Sequence, residues 1–426
     1  MCSGYIDAVS LKGQELDSRH AAINMKRRDF LTAAGAAAAI PIIGSSGAAQ
    51  APTLRSGVLS TSFLDKLPQL MEWSNVPGLA VALLKDGKLS WSMGSGVKKA
   101  GDPASVNADT LFGAASLSKP LFTYAILRMR DENIIDLDRP LWNYLPYEDL
   151  PAAEQSKQIT ARHVLTHSTG LQNWRFGRGQ KLEFAFKPGE RFQYSGEGFY
   201  YLQRVLESIA DRGFEEYMQE KVLKPLGMVN STFGWTAADL KMSWGHSSRA
   251  EAVEAFNVLR GRRHLKLADD WKKPVRSWRH DDAVRANALI DKESPSFPNS
   301  LLPNCAGSLI TSVNEYALFM ARLMQLHRRD EHSLPETGRR EMLSPQIKLN
   351  TAISWGLGIG LENYSNRSIF WHWGDNGVFK AFMMGDPAAG SGIVVFTNAQ
   401  NGHRMWQRIV TEAMGPDHPA FFFYMT

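Results

Sequence analysis

Short apolar runs near both ends of the chain have the length and flanking turns typical of β-strands. Residues 78–84 form an unbroken apolar run, and Asp86-Gly87 then predicts a tight turn into a returning strand over residues 89–94. Near the other end, further strands are predicted over residues 356–361, 369–373, 380–384 and 392–397. The pattern therefore indicates one sheet that both ends of the chain build together.

Between these ends the apolar spacing changes to the three- and four-residue period of helices. The pattern predicts helices over residues 121–129, 199–209, 214–223 and 313–326, with Ser312 as N-cap of the last. Two more helices, over residues 62–73 and 404–414, flank the strand-forming ends. Residues 119–329 are accordingly predicted as a helical region inserted into the sheet-forming part.

The first 51 residues have the character of an export signal. Arg27-Arg28 resembles a twin-arginine motif, residues 32–43 are weakly hydrophobic and rich in alanine, and Ala49-Gln50-Ala51 offers a small-residue cleavage site. We expect cleavage after Ala51 and a periplasmic or secreted protein without stable membrane insertion. The alternative is a disordered or membrane-anchoring N-terminus.

Composition excludes several other classes of function. The 426 residues are 44% hydrophobic and 10% aromatic, enough for a sizeable core. The net charge is only +5 and acids interrupt the basic stretch over residues 260–285, so nucleic-acid binding is not expected. That stretch is interpreted as a solvated insertion, which could also wall one side of a substrate cleft. Only Cys305 follows the signal, so no disulfide framework is expected.

A serine and a lysine three residues apart give the most informative local pattern. Ser116 and Lys119 precede the predicted helix over residues 121–129, and residues at this spacing share one helix face. An amine beside a hydroxyl can activate a serine nucleophile without a histidine. Ser95 and Lys98 repeat the spacing, but they lie in a glycine-rich strand end.

Two further segments complete a constellation with the first. The three are Ser116-Leu117-Ser118-Lys119, Tyr194-Ser195-Gly196 and His372-Trp373-Gly374-Asp375. In type and order they resemble the serine β-lactamase/penicillin-binding superfamily, above all class C β-lactamases, D-alanyl-D-alanine carboxypeptidases and family VIII carboxylesterases. Other matching segments are His163 to Leu171, Pro225 to Met228, Ala306 to Leu309 and Trp355 to Gly358.

The resemblance implies a fold and a set of roles. It implies an α+β fold in which an antiparallel sheet flanked by helices is joined to an all-helical region. The single hydrolase domain would span residues 52–426, with its α/β part at about 60–118 and 330–426 and its helical region at about 119–329. Ser116 would be the acylated nucleophile, and either Lys119 or Tyr194 would take its proton. The backbone N–H groups of Ser116 and Asp375 would form an oxyanion hole.

The resemblance also implies a role for the third segment and indicates whether a metal is needed. His372, Trp373 and Gly374 would contact substrate, although His372 has packing as its alternative. No cofactor or metal is implied. His163 and His167 have the spacing of a metal pair, but they fall in a segment whose histidines we expect to hydrogen-bond a loop.

Two departures from the lactamase pattern shift the expected substrate. Gly196 replaces an amide side chain, and His372 and Trp373 replace lysine and threonine, so the strand loses a fixed cation. We therefore expect a serine hydrolase that acts through an acyl-enzyme on short- to medium-chain esters, with β-lactams as possible side substrates. The alternatives are a class C-like β-lactamase or D-alanyl-D-alanine carboxypeptidase, and a non-catalytic binder of peptidoglycan fragments.

Overall fold

An eight-stranded antiparallel sheet forms the centre of the computed structural model, which describes residues 58–175, 180–253, 256–290, 297–324, 331–364 and 366–424. The predicted export signal lies outside these residues. The division of the chain at Ala51 therefore stays a prediction.

Most strands lie near the two ends of the described chain, and most helices lie between them. The helices are α1 (Thr61–Trp73), α2 (Ser118–Asp131), α3 (Ala161–Leu165), α4 (Gly196–Ala210), α5 (Phe214–Met218), α6 (Phe256–Trp271), α7 (His280–Ile290), α8 (Val313–Met324), α9 (Glu336–Met342), α10 (His403–Met414) and α11 (Pro419–Tyr424). The strands are β1 (Gly78–Lys85), β2 (Lys88–Gly96), β3 (Phe112–Ala115), β4 (Gly245–Ser248), β5 (Glu251–Val253), β6 (Leu309–Thr311), β7 (Ile347–Lys348), β8 (Ile353–Trp355), β9 (Gly360–Tyr364), β10 (Arg367–Asp375), β11 (Lys380–Asp386) and β12 (Ser391–Thr397).

The two ends of the chain meet inside the large sheet. Its strand order is β2-β1-β12-β11-β10-β9-β8-β7, and each neighbouring pair is antiparallel. Val81 of β1 pairs with Val395 of β12, so strands far apart in sequence are adjacent. The predicted antiparallel sheet built from both termini is confirmed.

Both faces of this sheet are covered, which explains the unbroken apolar runs of its central strands. In β1, Ala80 and Ala82 belong to the core on the side of α8, whereas Val81 and Leu83 belong to the core on the side of α1 and α10. The side chains alternate between the two cores with the two-residue period of a strand. The helical region joins the first core through α2 and α4.

Two sequence expectations need revision. The strand predicted over residues 356–361 is wrong in its first half, where a turn connects β8 to β9. Gly358 lies in that turn with φ +65°, and a Cβ there would come within 1.8 Å of the Thr123 hydroxyl. The region over residues 119–329 also contains the short strands β4, β5 and β6 between its helices.

Other elements match their predictions closely. The helix α1 contains Pro68 but begins and ends within one residue of the predicted span. The helix predicted over 214–223 consists of α5 and a following π turn, Gln219–Leu223. In the described ranges, no helix combines the length and apolar character needed to cross a bilayer.

The stacked pair of Phe382 and Trp406 yields a prediction for stability. Their ring centroids are 4.3 Å apart with planes inclined by 3°, and Trp406 of α10 is fully buried against the sheet. We expect Trp406→Ala to lower the free energy of unfolding by about 3–5 kcal/mol, because it leaves a cavity. Urea unfolding measures this change. The matched control Trp73→Ala, at a site that is 68% exposed, should change it by less than about 0.5 kcal/mol. Equal losses in the two variants would contradict the described packing.

Candidate active site

Ser116 lies in the turn that links β3 to α2. Its predecessor Ala115 has φ +48°, in the left-handed region that alanine rarely adopts. Such backbone strain costs about 1–3 kcal/mol and clusters at functional sites. The Ser118 hydroxyl donates to the Ala115 carbonyl at 2.6 Å and accepts from the Leu309 N–H at 3.0 Å, which fixes the turn against β6.

Lys119 places its amine directly beside the serine. Its Nζ donates to Ser116 Oγ at 3.2 Å and to the Ala306 carbonyl at 2.8 Å. The side chain is fully buried, and this burial lowers the pKa of Lys119 to about 7, against a smaller raising effect of the Cys305 thiol. Burial therefore favours the neutral form of the amine much more than water does. Cys305 is itself buried, as the sequence predicted.

Tyr194 covers the lysine from the end of a loop that leads into α4. The Lys119 Nζ lies 4.8 Å from the centroid of the Tyr194 ring. The tyrosine hydroxyl is buried and makes no hydrogen bond of normal geometry with any described residue. Burial raises the pKa of Tyr194, and the nearby Ser116 hydroxyl lowers it by less. The phenol is thus protonated at neutral pH.

His167 fixes the position of this tyrosine. Its Nδ1 accepts the Ser195 N–H at 3.0 Å, and its ring stacks on the Tyr194 ring with centroids 4.1 Å apart. Burial, together with the Lys119 charge, lowers the pKa of His167 well below its usual value, so it is neutral. His163 Nδ1 accepts the Thr160 N–H at 3.3 Å as part of a helix cap. The expectation that these histidines hydrogen-bond a loop agrees with His167, which binds the backbone of the loop that leads into α4, whereas His163 binds the N-cap of its own helix.

The third predicted segment ends strand β10. His372 is fully buried, its Nδ1 contacts the Trp373 carbonyl at 2.7 Å, and burial lowers the pKa of His372 to about 3. Trp373 packs on Tyr194 with ring centroids 5.1 Å apart. The substrate contact predicted for His372, Trp373 and Gly374 stays a prediction, and the full burial of His372 favours the packing alternative.

A cavity of about 480 Å³ opens in front of the serine. Ser116 and Asp375 both line it, so the two residues predicted to form the oxyanion hole share one space. The Asp375 carboxylate accepts hydrogen bonds from the Lys380 amine and from the Gly377 N–H. The larger apolar side chains of the wall include Trp174, Trp235, Leu301 and Leu302. In the part of the chain that the structure describes, no cluster of histidine, cysteine or acidic side chains could hold a metal ion.

The indole of Trp174 occupies the space beside Gly196 and leaves no room for a side chain there. A Cβ added at Gly196 would lie 2.0 Å from a ring carbon of Trp174, closer than any side chain tolerates. Trp174 therefore fills the space into which a side chain at position 196 would project. Trp174 thereby forms part of the wall of the cavity in front of Ser116.

Arg260 is a site residue that motif comparison did not single out. It lies on α6, is only 3% exposed and lines the same cavity as Ser116. The sequence signal was the basic stretch over residues 260–285, interpreted as an insertion that could wall the cleft. Arg260 lines the cavity wall but is buried rather than solvated, and nothing in the local pattern distinguishes it from its exposed neighbours Arg262 and Arg263.

Comparison with known sequences gives distant relatives that match part of the chain. Protein flp of Staphylococcus aureus (strain MW2) is 23% identical over 182 residues, which cover 39% of this chain and 36% of the relative. Penicillin-binding protein 4 of Amycolatopsis lactamdurans is 25% identical over 171 residues, which cover 37% of this chain and 45% of the relative. The chain therefore aligns with less than half the length of these relatives.

Solved structures share the fold over a longer span. The octameric penicillin-binding protein homologue from Pyrococcus abyssi has a TM-score of 0.63 at 18% identity, covering 85% of this chain and 80% of its own. A β-lactamase/D-alanine carboxypeptidase from Pseudomonas syringae has a TM-score of 0.64 at 15% identity, covering 84% of this chain and 98% of its own. At the sequence level, the family model described as Beta-lactamase matches residues 63–411. Since that match spans well over half of the 426 residues, the chain belongs to the beta-lactamase family.

Proposed function

We propose that this protein is a serine hydrolase that cleaves carboxylic esters of short to medium acyl chain through an acyl-enzyme at Ser116. The observation that carries the choice of esters is the indole of Trp174 in the space beside Gly196. In the resembling lactamases an amide side chain at that position would hold the acylamino group of the substrate. Here an apolar surface takes its place.

The proposed first step uses the lowered pKa of Lys119. A neutral lysine amine has two N–H groups and one lone pair, and one N–H donates to the Ala306 carbonyl. The lone pair can then take the proton of Ser116 Oγ at 3.2 Å as the oxygen attacks the ester carbonyl. The new C–O bond gives a tetrahedral intermediate whose oxyanion would meet the backbone N–H groups of Ser116 and Asp375.

In this proposal Tyr194 donates a proton to the leaving group. Its raised pKa keeps the phenol protonated, which suits a donor to the departing alkoxide better than a base. As the tyrosine proton moves to the leaving oxygen, the proton on Lys119 can restore the phenol. Water would then hydrolyse the acyl-enzyme, and Tyr194 and Lys119 would transfer the protons in the reverse direction.

The alternative activity acts on β-lactams or on peptides that end in D-alanine. It is supported by what the similar proteins are called, a penicillin-binding protein and a β-lactamase/D-alanine carboxypeptidase. Against it stand the neutral, buried His372 in place of a strand lysine and the blocked space beside Gly196. We further propose that residues 1–51 direct export, which would put the enzyme in the periplasm or outside the cell.

Paired kinetics test the proposed reaction. We expect turnover of a chromogenic short-chain ester that Ser116→Ala lowers by about 10³-fold or more, since the nucleophile is lost. Tyr194→Phe should lower it by about 10²-fold or more if the phenol transfers a proton.

A chromogenic cephalosporin should turn over poorly in the same assays. Efficient cephalosporin turnover with negligible ester turnover would establish the alternative. Failure of both substrates and of a fluorophosphonate label would favour a non-catalytic binder.

The pKa of Lys119 predicts how labelling depends on pH. Only the neutral amine accepts the serine proton, so the rate of fluorophosphonate labelling should rise about tenfold per pH unit below pH 7 and level off above it. Rates measured from about pH 5 to about pH 9 check this. Lys119→Met keeps the length of the side chain but does not titrate, and it should label slowly with no midpoint near 7. A wild-type rate that is flat across the range would contradict lysine as the base.

The contact between Gly196 and Trp174 predicts a coupled pair of substitutions. Gly196→Asn alone should lower stability by about 1–3 kcal/mol, because its side chain overlaps the indole. Adding Trp174→Ala should recover most of that loss and raise cephalosporin turnover, because an amide can then enter the space. Urea unfolding of the two single variants and the double variant, compared with wild type, gives the coupling energy. Additive losses would show that the two positions do not share that space.

A further inference from the structure

Hydrogen bonds on both sides of Trp174 in the chain hold it in the cavity wall. On one side, the side-chain carbonyl of Asn173 accepts the Gly196 N–H at 3.0 Å, and its backbone carbonyl accepts the N–H groups of Gly196 and Glu197, both at 3.0 Å. On the other side, the Arg175 N–H donates to Glu197 Oε1 at 3.0 Å. The indole therefore lies between two anchors that both bind the first turn of α4.

The side chain of Arg175 strengthens the second anchor. Its Nε and Nη2 donate to the two carboxylate oxygens of Glu197, each at 3.0 Å, and Nη2 also donates to Asp149 Oδ2 at 2.7 Å. Arg175 is 5% exposed and Glu197 is fully buried. Burial removes both charges from water, so such a pair adds little net stability, but its two parallel bonds fix one arrangement of the two groups. Asn173, Arg175 and Glu197 together form what we call the indole clamp.

The indole held by this clamp borders the space next to the nucleophile. Trp174 lines the cavity together with Ser116. One of its ring carbons would lie only 2.0 Å from a Cβ at Gly196, so the indole reaches the start of α4, two residues after Tyr194. An acyl group on Ser116 Oγ would extend into this same cavity.

We propose that the indole clamp determines which acyl groups the enzyme accepts, because it holds the Trp174 indole where a branched acyl group would need to lie. This inference rests on the proposed esterase function and adds the substrate class, which is esters whose acyl chain is unbranched next to the carbonyl. The clamp residues do not touch the substrate and act as positioning residues. A fixed wall discriminates better than one that moves aside, since close packing makes even one extra methylene felt.

Two isomeric chromogenic esters measure this preference. The 4-nitrophenyl esters of hexanoic acid and of 2-ethylbutyric acid contain the same atoms, but only the second is branched next to the carbonyl. The measured quantity is the ratio of kcat/KM for the branched ester to kcat/KM for the linear ester. Trp174→Ala should raise this ratio by about 10-fold or more, the order that one or two methylene groups contribute in an apolar pocket. An unchanged ratio in Trp174→Ala would overturn the proposal.

Substitutions in the clamp test whether it positions the indole. Arg175→Lys keeps the charge but loses the two parallel bonds, and Glu197→Gln keeps the size but loses the charge. Each should raise the ratio by about 3- to 10-fold, because the indole is then free to move aside. The matched control Arg162→Lys removes another bidentate pair, that of Arg162 with Asp138, and should leave the ratio unchanged. No rise in the clamp variants, or an equal rise in the control, would refute the role of the clamp.

Double variants separate positioning of the indole from a general loss of structure. Adding Arg175→Lys or Glu197→Gln to Trp174→Ala should not raise the ratio further, since no indole remains to be held. A further rise as large as in the single variants would contradict the proposal.

The ratio does not depend on the amount of folded enzyme, so partly folded variants still report it. If neither buried clamp variant is soluble, Asn173→Ala decides the matter, because it removes an exposed side chain from the first anchor. It should also raise the ratio, and an unchanged ratio would then reject the proposal.

A phosphonate label separates this inference from the proposed function. Ser116 Oγ forms a bond to the phosphorus of an alkylphosphonofluoridate as fluoride leaves and the hydroxyl proton passes to a base. The alkyl group on phosphorus then lies where the acyl chain of an acyl-enzyme would lie. The ratio of labelling rates for a branched and a straight alkyl group should therefore rise in Arg175→Lys, without any need for ester turnover.

The outcomes of labelling and turnover differ for the two proposals. A rise in the labelling ratio, without ester turnover by wild type, would keep the inference and reject the esterase. Ester turnover with no rise in either ratio would keep the esterase and reject the inference. A wild type that neither labels nor turns over esters would reject both.

Discussion

The burial of the Lys119 amine is the constraint on which the rest of the site depends. Water cannot reach the amine, so its protonated form loses hydration and the pKa of Lys119 falls to about 7. Among the described residues, no carboxylate forms an ion pair with it that would reverse this effect. The Ala306 carbonyl, the Ser116 hydroxyl and the rings of Tyr194 and Phe199 lie around the amine instead. A lysine in these surroundings can act as a base at neutral pH.

Keeping water away from that amine requires a rigid aromatic layer. His167 stacks on Tyr194, Trp373 covers another part of the tyrosine ring, and Trp355 contacts His167 at a ring-centroid distance of 5.3 Å. Phe423 of α11 packs on Trp373 at 5.4 Å. The layer therefore draws on segments from the middle and from the end of the chain. Neutral histidines suit this layer, because a charged ring beside Lys119 would lower its pKa further.

The sequence predicted those parts of the fold and site that depend on local order. Ser116 and Lys119 follow from helical spacing, and the central strands β1 and β12 follow from apolar runs buried on both faces. The turn at Gly358 was missed because a short apolar segment rich in glycine fits a strand as well as a tight turn. Arg260 was not assigned to the site, since only the tertiary packing of α6 brings it to the cavity in front of the serine.

The arrangement of charge follows from the same constraint. A permanent cation next to Lys119 would oppose protonation of the amine, and so would raise the cost of the proposed first step. The third motif has the neutral, buried His372 in place of such a cation. The neutral ring therefore lets the lysine keep a pKa near neutrality.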